Sequence, residues 1–256
     1  MPIPPCAATR ATHEVHEEAD GVIPILDTHV HFWDVDVPGL SWPWLDKNFQ
    51  TDQHRWTHER HRAASPHDAT RYTVDEFRSE TASAGVAGLV HVHSAKASQH
   101  PAQETAWLET MAQADGWPLA IVGRGDLASP DGPELLRRHR TASDRCRAVR
   151  DMAARDGIDP DRCVDTLDAA AELGFAIELR TAPAGFGVFA ALADRWPEVT
   201  FVLSHAALPT ERTPATLHEW RGAAIQLGER SNWVCKISAL CGGSDPDWTV
   251  DSIRPW

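Results

Sequence analysis

Short apolar runs alternate with longer amphipathic stretches along most of the chain, beginning after Gly21. The runs are rich in Val, Ile and Leu and have the length of strands, and the stretches between them have the periodicity of helices. This alternation is typical of βα units that share a parallel sheet. The predicted strands are residues 23–32, 88–94, 119–123, 146–150, 175–179, 199–204 and 233–237.

A helix, or the start of one, is predicted after each strand. The first opens at Thr73 and is closed by Gly85, with Asp75 and Glu76 in its first turn, where acidic side chains complement the helix dipole. The others are predicted at residues 102–114, from about Pro133, at 165–173, 186–195 and 216–227, and from about Thr249. The long polar and aromatic segment 33–71 is predicted to be a loop, and a loop of that length in a compact domain is usually functional.

Two parallel architectures compete for this pattern, the closed (β/α)8 barrel and the open doubly wound sheet. No Gly-x-Gly-x-x-Gly turn and no Gly-Lys-Ser/Thr phosphate loop follows any predicted strand. Polar residues instead concentrate at the carboxyl ends of several different strands, which is where barrel enzymes build their sites. The sequence therefore predicts an α/β fold of the TIM (β/α)8 type over residues 21–256, with the eighth strand and its helix missing.

Composition and charge exclude several classes of binding partner. The chain has 256 residues and a formal charge of −13, so it lacks the basic footprint of a nucleic-acid protein and of an anionic-membrane binder. No apolar run reaches the roughly 20 residues of a membrane span. The five cysteines are odd in number and widely spaced, which fits free thiols in the reducing cytoplasm. Residues 1–20 are Pro-rich and then acidic, and are predicted to be a disordered leader.

Histidine carries the first chemical signal. His29 and His31 are two residues apart on the first predicted strand, so the pleat points both imidazoles to one face, about 6–7 Å apart along the strand. At the carboxyl end of an inward-facing strand, two imidazoles can converge on one metal ion. The alternative is a pair of hydrogen-bonded core histidines. His205 ends the sixth predicted strand and would add a third imidazole on the same rim, unless it caps the helical segment that follows.

Further polar residues end or interrupt other strands. On the second strand His91 and His93 share a face with Leu89, and the pattern leaves open whether that face lines the barrel; a structural role is favoured for His91 and a substrate contact for His93. Arg150 ends the fourth strand and suits recognition of a carboxylate, with a rim ion pair as the alternative. Lys236 lies inside the seventh strand and needs a partner, either Glu178 or a substrate anion. No Lys, His or Glu of the fourth strand is placed to bridge two metal ions, which disfavours a binuclear site.

Several of these segments resemble the amidohydrolase-related (amidohydrolase 2) family, in particular its fuconolactonase-like, rhamnonolactonase-like and pyrone-dicarboxylate lactonase-like branch. The most specific piece is the first strand with the run Asp-Thr-His-Val-His-Phe-Trp-Asp, and the others cover most of the chain. They are residues 42–45, His93 with 104–108, 148–150, 203–205, 236–240 and 248–255.

The resemblance implies a distorted (β/α)8 barrel in which water opens a lactone. His29, His31 and His205 would bind one divalent metal ion, zinc before others, or polarise the carbonyl directly without metal. His93, Arg150, Lys236 and Trp33 would contact a small-molecule lactone or organic acid substrate, and the chain could form an oligomer.

The family's general base is an aspartate that ends strand eight in a Gly-Ser-Asp context, and the sequence stops at Trp256 before such a strand. The tripeptide Gly243-Ser244-Asp245 precedes the last helix and does not replace it. Because a general base contributes about 10²–10⁴-fold to the rate, we expect this chain to be inactive or nearly so. A zinc-dependent decarboxylase of the same superfamily and a non-catalytic remnant that binds metal or ligand are the alternative functions.

Overall fold

The computed structural model describes residues 23–45, 70–98, 100, 102–152, 158–181, 185–207, 211–240, 245 and 247–256. The predicted leader 1–20 lies outside these residues, as do most of the predicted loop 33–71, Cys6, Cys241 and the tripeptide's Gly243 and Ser244.

The seven predicted strands are present and form one sheet in which every neighbouring pair is parallel. Four additional two-residue strands lie in connections. The strands are β1 (Ile25–Val30), β2 (Trp33–Asp34), β3 (Leu40–Ser41), β4 (Arg71–Tyr72), β5 (Val86–Val92), β6 (Ala97–Ser98), β7 (Ala120–Arg124), β8 (Cys146–Asp151), β9 (Ala176–Leu179), β10 (Phe201–Leu203) and β11 (Trp233–Cys235).

The helices follow the strands as the pattern predicts, and local signals set their ends. Thr73 and Glu76 form a capping box at the start of the first helix, and Gly116 and Gly174 end two others in the left-handed conformation that glycine adopts without strain. The helices are α1 (Val74–Thr81), α2 (Gln103–Asp115), α3 (Gly132–Ala142), α4 (Val164–Leu173), α5 (Phe186–Arg195), α6 (Pro214–Gly228) and α7 (Val250–Ile253). None of the described helices is long and apolar enough to cross a membrane.

The strand order in the sheet is β1-β5-β7-β8-β9-β10-β11, which is simply the chain order of the seven strands. Each strand is therefore laid down beside the previous one in one direction around the sheet, as in a (β/α)8 barrel and unlike the reversal in a doubly wound sheet. This confirms the predicted fold. Within the described residues β1 and β11 each pair with only one strand, so a seam separates them.

The two faces of the sheet differ sharply. Leu89, Ile121, Val149, Ile177 and Phe201 point outward and are buried under the helices in the main hydrophobic core. The inner face carries small residues, among them Val90, Val122, Ala148, Val202 and Val234. Valine and alanine do not fill the barrel, and a cavity of about 510 Å³ remains inside it, lined also by residues of β1 and β11 at the seam.

The described ends of the connection after β1 form short strands where the pattern predicts a loop. β2 pairs with β4, and β3 pairs with β6, so the ends of the predicted 33–71 loop are tied back onto the barrel. Trp33 stacks on Tyr72 with ring centroids 5.0 Å apart and meets Trp44 edge-on at 5.2 Å. Two-residue strands are too short to give a periodic signal, which is why the sequence predicts only a loop here.

His139 of α3 is a buried histidine that fits because Gly123 of β7 has no side chain. A Cβ on Gly123 would lie 2.7 Å from the imidazole. Its Nε2 donates to the Arg124 carbonyl oxygen (3.0 Å), which leaves Nδ1 to accept from the Thr105 hydroxyl (2.8 Å). Burial lowers the pKa of His139 from 6.5 to about 4, so the ring is neutral at pH 7.

We predict that His139 makes stability fall on acidification. The unfolded chain takes up the His139 proton near pH 6.5 and the folded chain only near pH 4, so its contribution is full above pH 6.5 and is lost towards pH 4. In His139→Gln, the free energy of unfolding should fall less between pH 7 and pH 5 than in the native chain, by about 2 kcal/mol. Urea denaturation at the two pH values measures this. The exposed His218→Gln is the control; an equal pH dependence in native and His139→Gln chains would contradict the prediction.

Candidate active site

A β-bulge in the first strand aims its two histidines into the barrel mouth. Asp27 pairs with Leu89 and Val30 with His91, so Thr28 and His29 together lie opposite the single residue Val90. The Asp27 carboxylate accepts the backbone N–H of His29 at 3.0 Å and so supports the bulge. Bulges are common beside active sites because the extra residue redirects a side chain. The regular pleat assumed from the sequence does not hold at this point, although both histidines do reach the same side.

His29 and His31 are in direct contact. Their Nε2 atoms are 3.3 Å apart, and the Nδ1 of His31 lies 2.7 Å from the Val92 carbonyl oxygen. A carbonyl can only accept, so Nδ1 of His31 carries the proton and its Nε2 presents a lone pair to His29. Burial, followed by neighbouring positive groups, holds the pKa of both rings well below the usual range. Both imidazoles are therefore neutral at pH 7.

His205 joins the cluster from the segment that follows β10. Its ring centroid lies 4.4 Å from that of His29, and its Nδ1 is 2.8 Å from the Ser238 hydroxyl. His205, Ala206 and Ala207 all have left-handed backbone conformations, with φ of 54°, 50° and 64°. Such strain costs free energy in residues other than glycine and is concentrated at functional sites. Burial lowers the pKa of His205 to about 4.

A buried ion pair lies directly beneath the histidines. Glu178 of β9 is 1% exposed and accepts from Lys236 Nζ at 2.6 Å and from the Ser204 hydroxyl at 2.5 Å. The carboxylate also lies 3.8 Å from Nδ1 of His29. Lys236 Nζ reaches across the seam to the Thr28 carbonyl oxygen at 3.0 Å. Of the two partners considered for Lys236, the structure supplies Glu178, so a contact of Lys236 with substrate stays a prediction.

Arg150 brings a second cation to the mouth from β8. Arg150 is 8% exposed, and burial, opposed by Glu178 and Glu104, lowers its pKa. One terminal nitrogen donates to the His93 carbonyl oxygen, while Nε has no hydrogen-bond partner among the described residues. A buried guanidinium with unused donors is suited to bind a carboxylate or hydroxyl oxygen.

The remaining predicted site residues lie around this centre. Val90 and Val92 face the interior, so His91 packs outside the barrel against Phe32, as the structural interpretation expects. The His93 side chain donates to the buried carboxylate of Glu104 on α2, and Trp33 is packed between Tyr72 and Trp44. Contacts of His93 and Trp33 with substrate therefore stay predictions.

Two of the histidines have the spacing of metal ligands. Two nitrogens bound tetrahedrally to zinc at 2.0–2.1 Å are about 3.3–3.4 Å apart, and the Nε2 atoms of His29 and His31 match this edge. The bond from His31 to Val92 is the type of contact that orients a ligating imidazole. The described residues do not, however, contain three His, Cys, Asp or Glu side chains that already converge on one ion. The donor set fits a divalent metal if His205 supplies the third nitrogen.

The sequence model of the amidohydrolase family matches residues 26–256, and so includes every element of this site. The chain belongs to the amidohydrolase family. The match begins in β1 and extends through the last helix, in agreement with the resemblance noted from the sequence.

This amidohydrolase is similar to two relatives and to one solved structure over most of its length. It is 28% identical over 248 residues to the protein y4mH of Sinorhizobium fredii, covering 91% of this chain and 78% of that one. It is 25% identical to the L-fucono-1,5-lactonase of Burkholderia ambifaria, covering 90% and 73%. The crystal structure of a zinc-bound amidohydrolase from Burkholderia multivorans matches with a TM-score of 0.66 and 21% identity, covering 91% and 76%.

Sequence reasoning did not find the supporting contacts of this amidohydrolase. Ser204 and Ser238 hold Glu178 and His205, and Glu104 holds His93, yet serines and a helical glutamate have no distinctive spacing. The only available signal was position, since each lies within one or two residues of a predicted site residue or on the helix that follows it.

We predict that Glu178 and Lys236 stabilise the fold as a coupled pair, so that the loss of one partner lowers the free energy of unfolding more than the loss of both. Lys236→Met leaves the Glu178 charge buried, and should lower the free energy of unfolding by about 3–5 kcal/mol. Glu178→Gln should also destabilise, and the double variant should recover most of the loss. Chemical denaturation of all four proteins measures the coupling. Glu134→Gln, in an exposed pair with Arg138, is the control with a far smaller effect; strictly additive losses would contradict the prediction.

Proposed function

We propose that this amidohydrolase hydrolyses the cyclic ester of a sugar lactone or a dicarboxylate lactone. The observation that carries the proposal is the convergence of the neutral imidazoles of His29, His31 and His205 at the barrel mouth beside the partly unsatisfied Arg150. A lactone carbonyl needs electrophilic polarisation before water attacks it, and these groups can provide that. The identity to a fuconolactonase supports the lactone class.

The direction of the hydrogen bond between Ser238 and His205 sets the tautomer of His205, and so its chemical role. If Ser238 donates to Nδ1 of His205, the ring carries its proton on Nε2 and can donate a hydrogen bond to the carbonyl oxygen. If Ser238 accepts from Nδ1, Nε2 presents a lone pair and is a metal ligand. One residue can thus serve the metal-independent and the metal-dependent form of the reaction.

A divalent metal, zinc first, fits the metal-dependent form, with His29, His31 and His205 as its ligands. When bound, zinc would polarise the carbonyl and lower the pKa of water. Arg150 would meanwhile hold a substrate carboxylate or hydroxyl, with His93, Lys236 and Trp33 as the further proposed contacts.

The proposed rate is low, for a reason visible in the site. The carboxylate beside the histidines, Glu178, is already bonded by Lys236 and Ser204, so it is a poor acceptor for the proton of an attacking water. If Glu178 is the group that must accept this proton, the rate should lie about 10²–10⁴-fold below that of a lactonase with a free general base.

The test is hydrolysis of a panel of aldonolactones and dicarboxylate lactones by the purified chain, followed by proton release at constant pH, with and without added zinc. We expect slow ring opening above the spontaneous rate, reduced at least about tenfold in His205→Ala and in His29→Ala. The exposed His218→Ala is the matched control. Equal rates in native and His205→Ala chains would contradict the proposal.

Metal content separates the two forms of the mechanism. If the histidines hold a metal, elemental analysis after zinc loading and gel filtration should show bound zinc in the native chain and less in His29→Ala. Release of carbon dioxide instead of protons from an aromatic acid would favour the decarboxylase alternative. Zinc binding with neither activity would favour a non-catalytic remnant.

A further inference from the structure

Glu104, in the first turn of α2, is a buried carboxylate outside the histidine cluster. It is 6% exposed and lies at the carboxyl end of β5, where the chain leaves the barrel. Ionised carboxylates are rarely buried unless their oxygens are bonded. A buried carboxylate at this position therefore needs hydrogen-bond donors close by.

Three consecutive residues after β5 bind Glu104. It accepts from the backbone N–H groups of Ser94 and Ala95 and from the Ser94 hydroxyl, each at 3.0 Å, and from Nδ1 of His93. Burial opposes ionisation, but the charge and hydrogen bond of His93 outweigh it and hold the pKa of Glu104 below its usual range. One charged group thus fixes the backbone of residues 93–95.

The fixed segment continues to Arg150. The His93 carbonyl oxygen accepts from a terminal nitrogen of the Arg150 guanidinium. On the other side, Gly125 packs its Cα against the Arg150 backbone, where an added Cβ would lie 3.1 Å from the Arg150 carbonyl carbon. The guanidinium is thus held in place through the carbonyl that Glu104 positions.

We propose that Glu104 is a positioning residue that holds the Arg150 guanidinium at the barrel mouth through the His93 carbonyl, and thereby determines selectivity for substrates that carry a carboxylate. The inference rests on the proposed function, because it assigns the substrate anion of the same site to Arg150. Glu104 does not touch the substrate. Its loss would tilt the His93 carbonyl and let Arg150 move, which weakens a directional two-pronged contact more than contacts to an uncharged ligand.

The same carboxylate also has a purely structural task, and the test must separate the two. The Ser94 hydroxyl shares its one proton between Glu104 and the Phe32 carbonyl oxygen and accepts from Nε1 of Trp42, and the Ser94 carbonyl oxygen accepts from Nε1 of Trp44. Glu104 therefore also supports the aromatic segment after β1. A structural role alone would weaken all ligands to the same degree and would not depend on Arg150.

The experiment compares glutarate with its uncharged diamide, glutaramide, by ligand NMR titration of the native chain. In Glu104→Gln, we expect glutarate affinity to fall about tenfold and glutaramide affinity to change little. In an Arg150→Gln background, adding Glu104→Gln should cause no further loss for glutarate, because the residue acts through Arg150. Glu109→Gln is the matched control, since it lies on the same helix and bonds Ser143 instead of residues 93–95.

Binding is measured without turnover, so this test stands even if no lactone is hydrolysed. Equal losses for glutarate and glutaramide, or an undiminished effect of Glu104→Gln in the Arg150→Gln background, would overturn the inference. Should Glu104→Gln not fold, Glu104→Asp keeps the charge but retracts the acceptor, and an unchanged glutarate affinity in that variant would overturn it as well. If Arg150→Gln bound glutarate as tightly as the native chain does, Arg150 would not be the anion site, and the inference about Glu104 would fail with it.

Discussion

The buried carboxylate of Glu178 connects nearly every part of the mouth. It lies on β9, binds Ser204 at the end of β10 and Lys236 just beyond β11, and faces His29 on β1. Lys236 in turn reaches the Thr28 carbonyl across the seam, so a single ion pair links the two edges of the sheet. Because an unpaired charge is costly in the interior, the pair is held together, and through it Ser204 and the Thr28 carbonyl, each next to a histidine in the chain, are tied to β9 and β11.

Two buried glutamates support different parts of the site. Glu178 works from inside the barrel on the histidines, whereas Glu104 works from the helix layer on the segment that contacts Arg150. His31, His205 and Arg150 lie between them and bond to backbone carbonyls and a hydroxyl, which carry no charge. Burial keeps the imidazoles neutral, and Nε of Arg150 has no hydrogen-bond partner among the described residues, which is the state that the proposed lactone chemistry requires.

The sequence predicts the fold well because its signals are periodic. Seven apolar runs, their order and most helix ends are visible in the pattern, and α5 is predicted to the residue. The convergence of His29, His31 and His205 follows from their places at strand ends. The bulge that turns His29, the left-handed run 205–207 and the roles of Ser238 and Glu104 could not be predicted, since each depends on a tertiary contact rather than on a local pattern.

The seam constrains how copies of this domain could associate through their sheets. β1 and β11 run in the same direction, so a strand lying between them would be parallel to both or antiparallel to both. A two-fold axis pairs like edges, β1 with β1 or β11 with β11, and makes that pairing antiparallel. Pairing β11 of one copy with β1 of the next would keep every strand parallel but is a head-to-tail contact, which propagates into rings or filaments unless its rotation closes. Antiparallel edge pairing would therefore indicate a two-fold assembly, and parallel edge pairing a head-to-tail one.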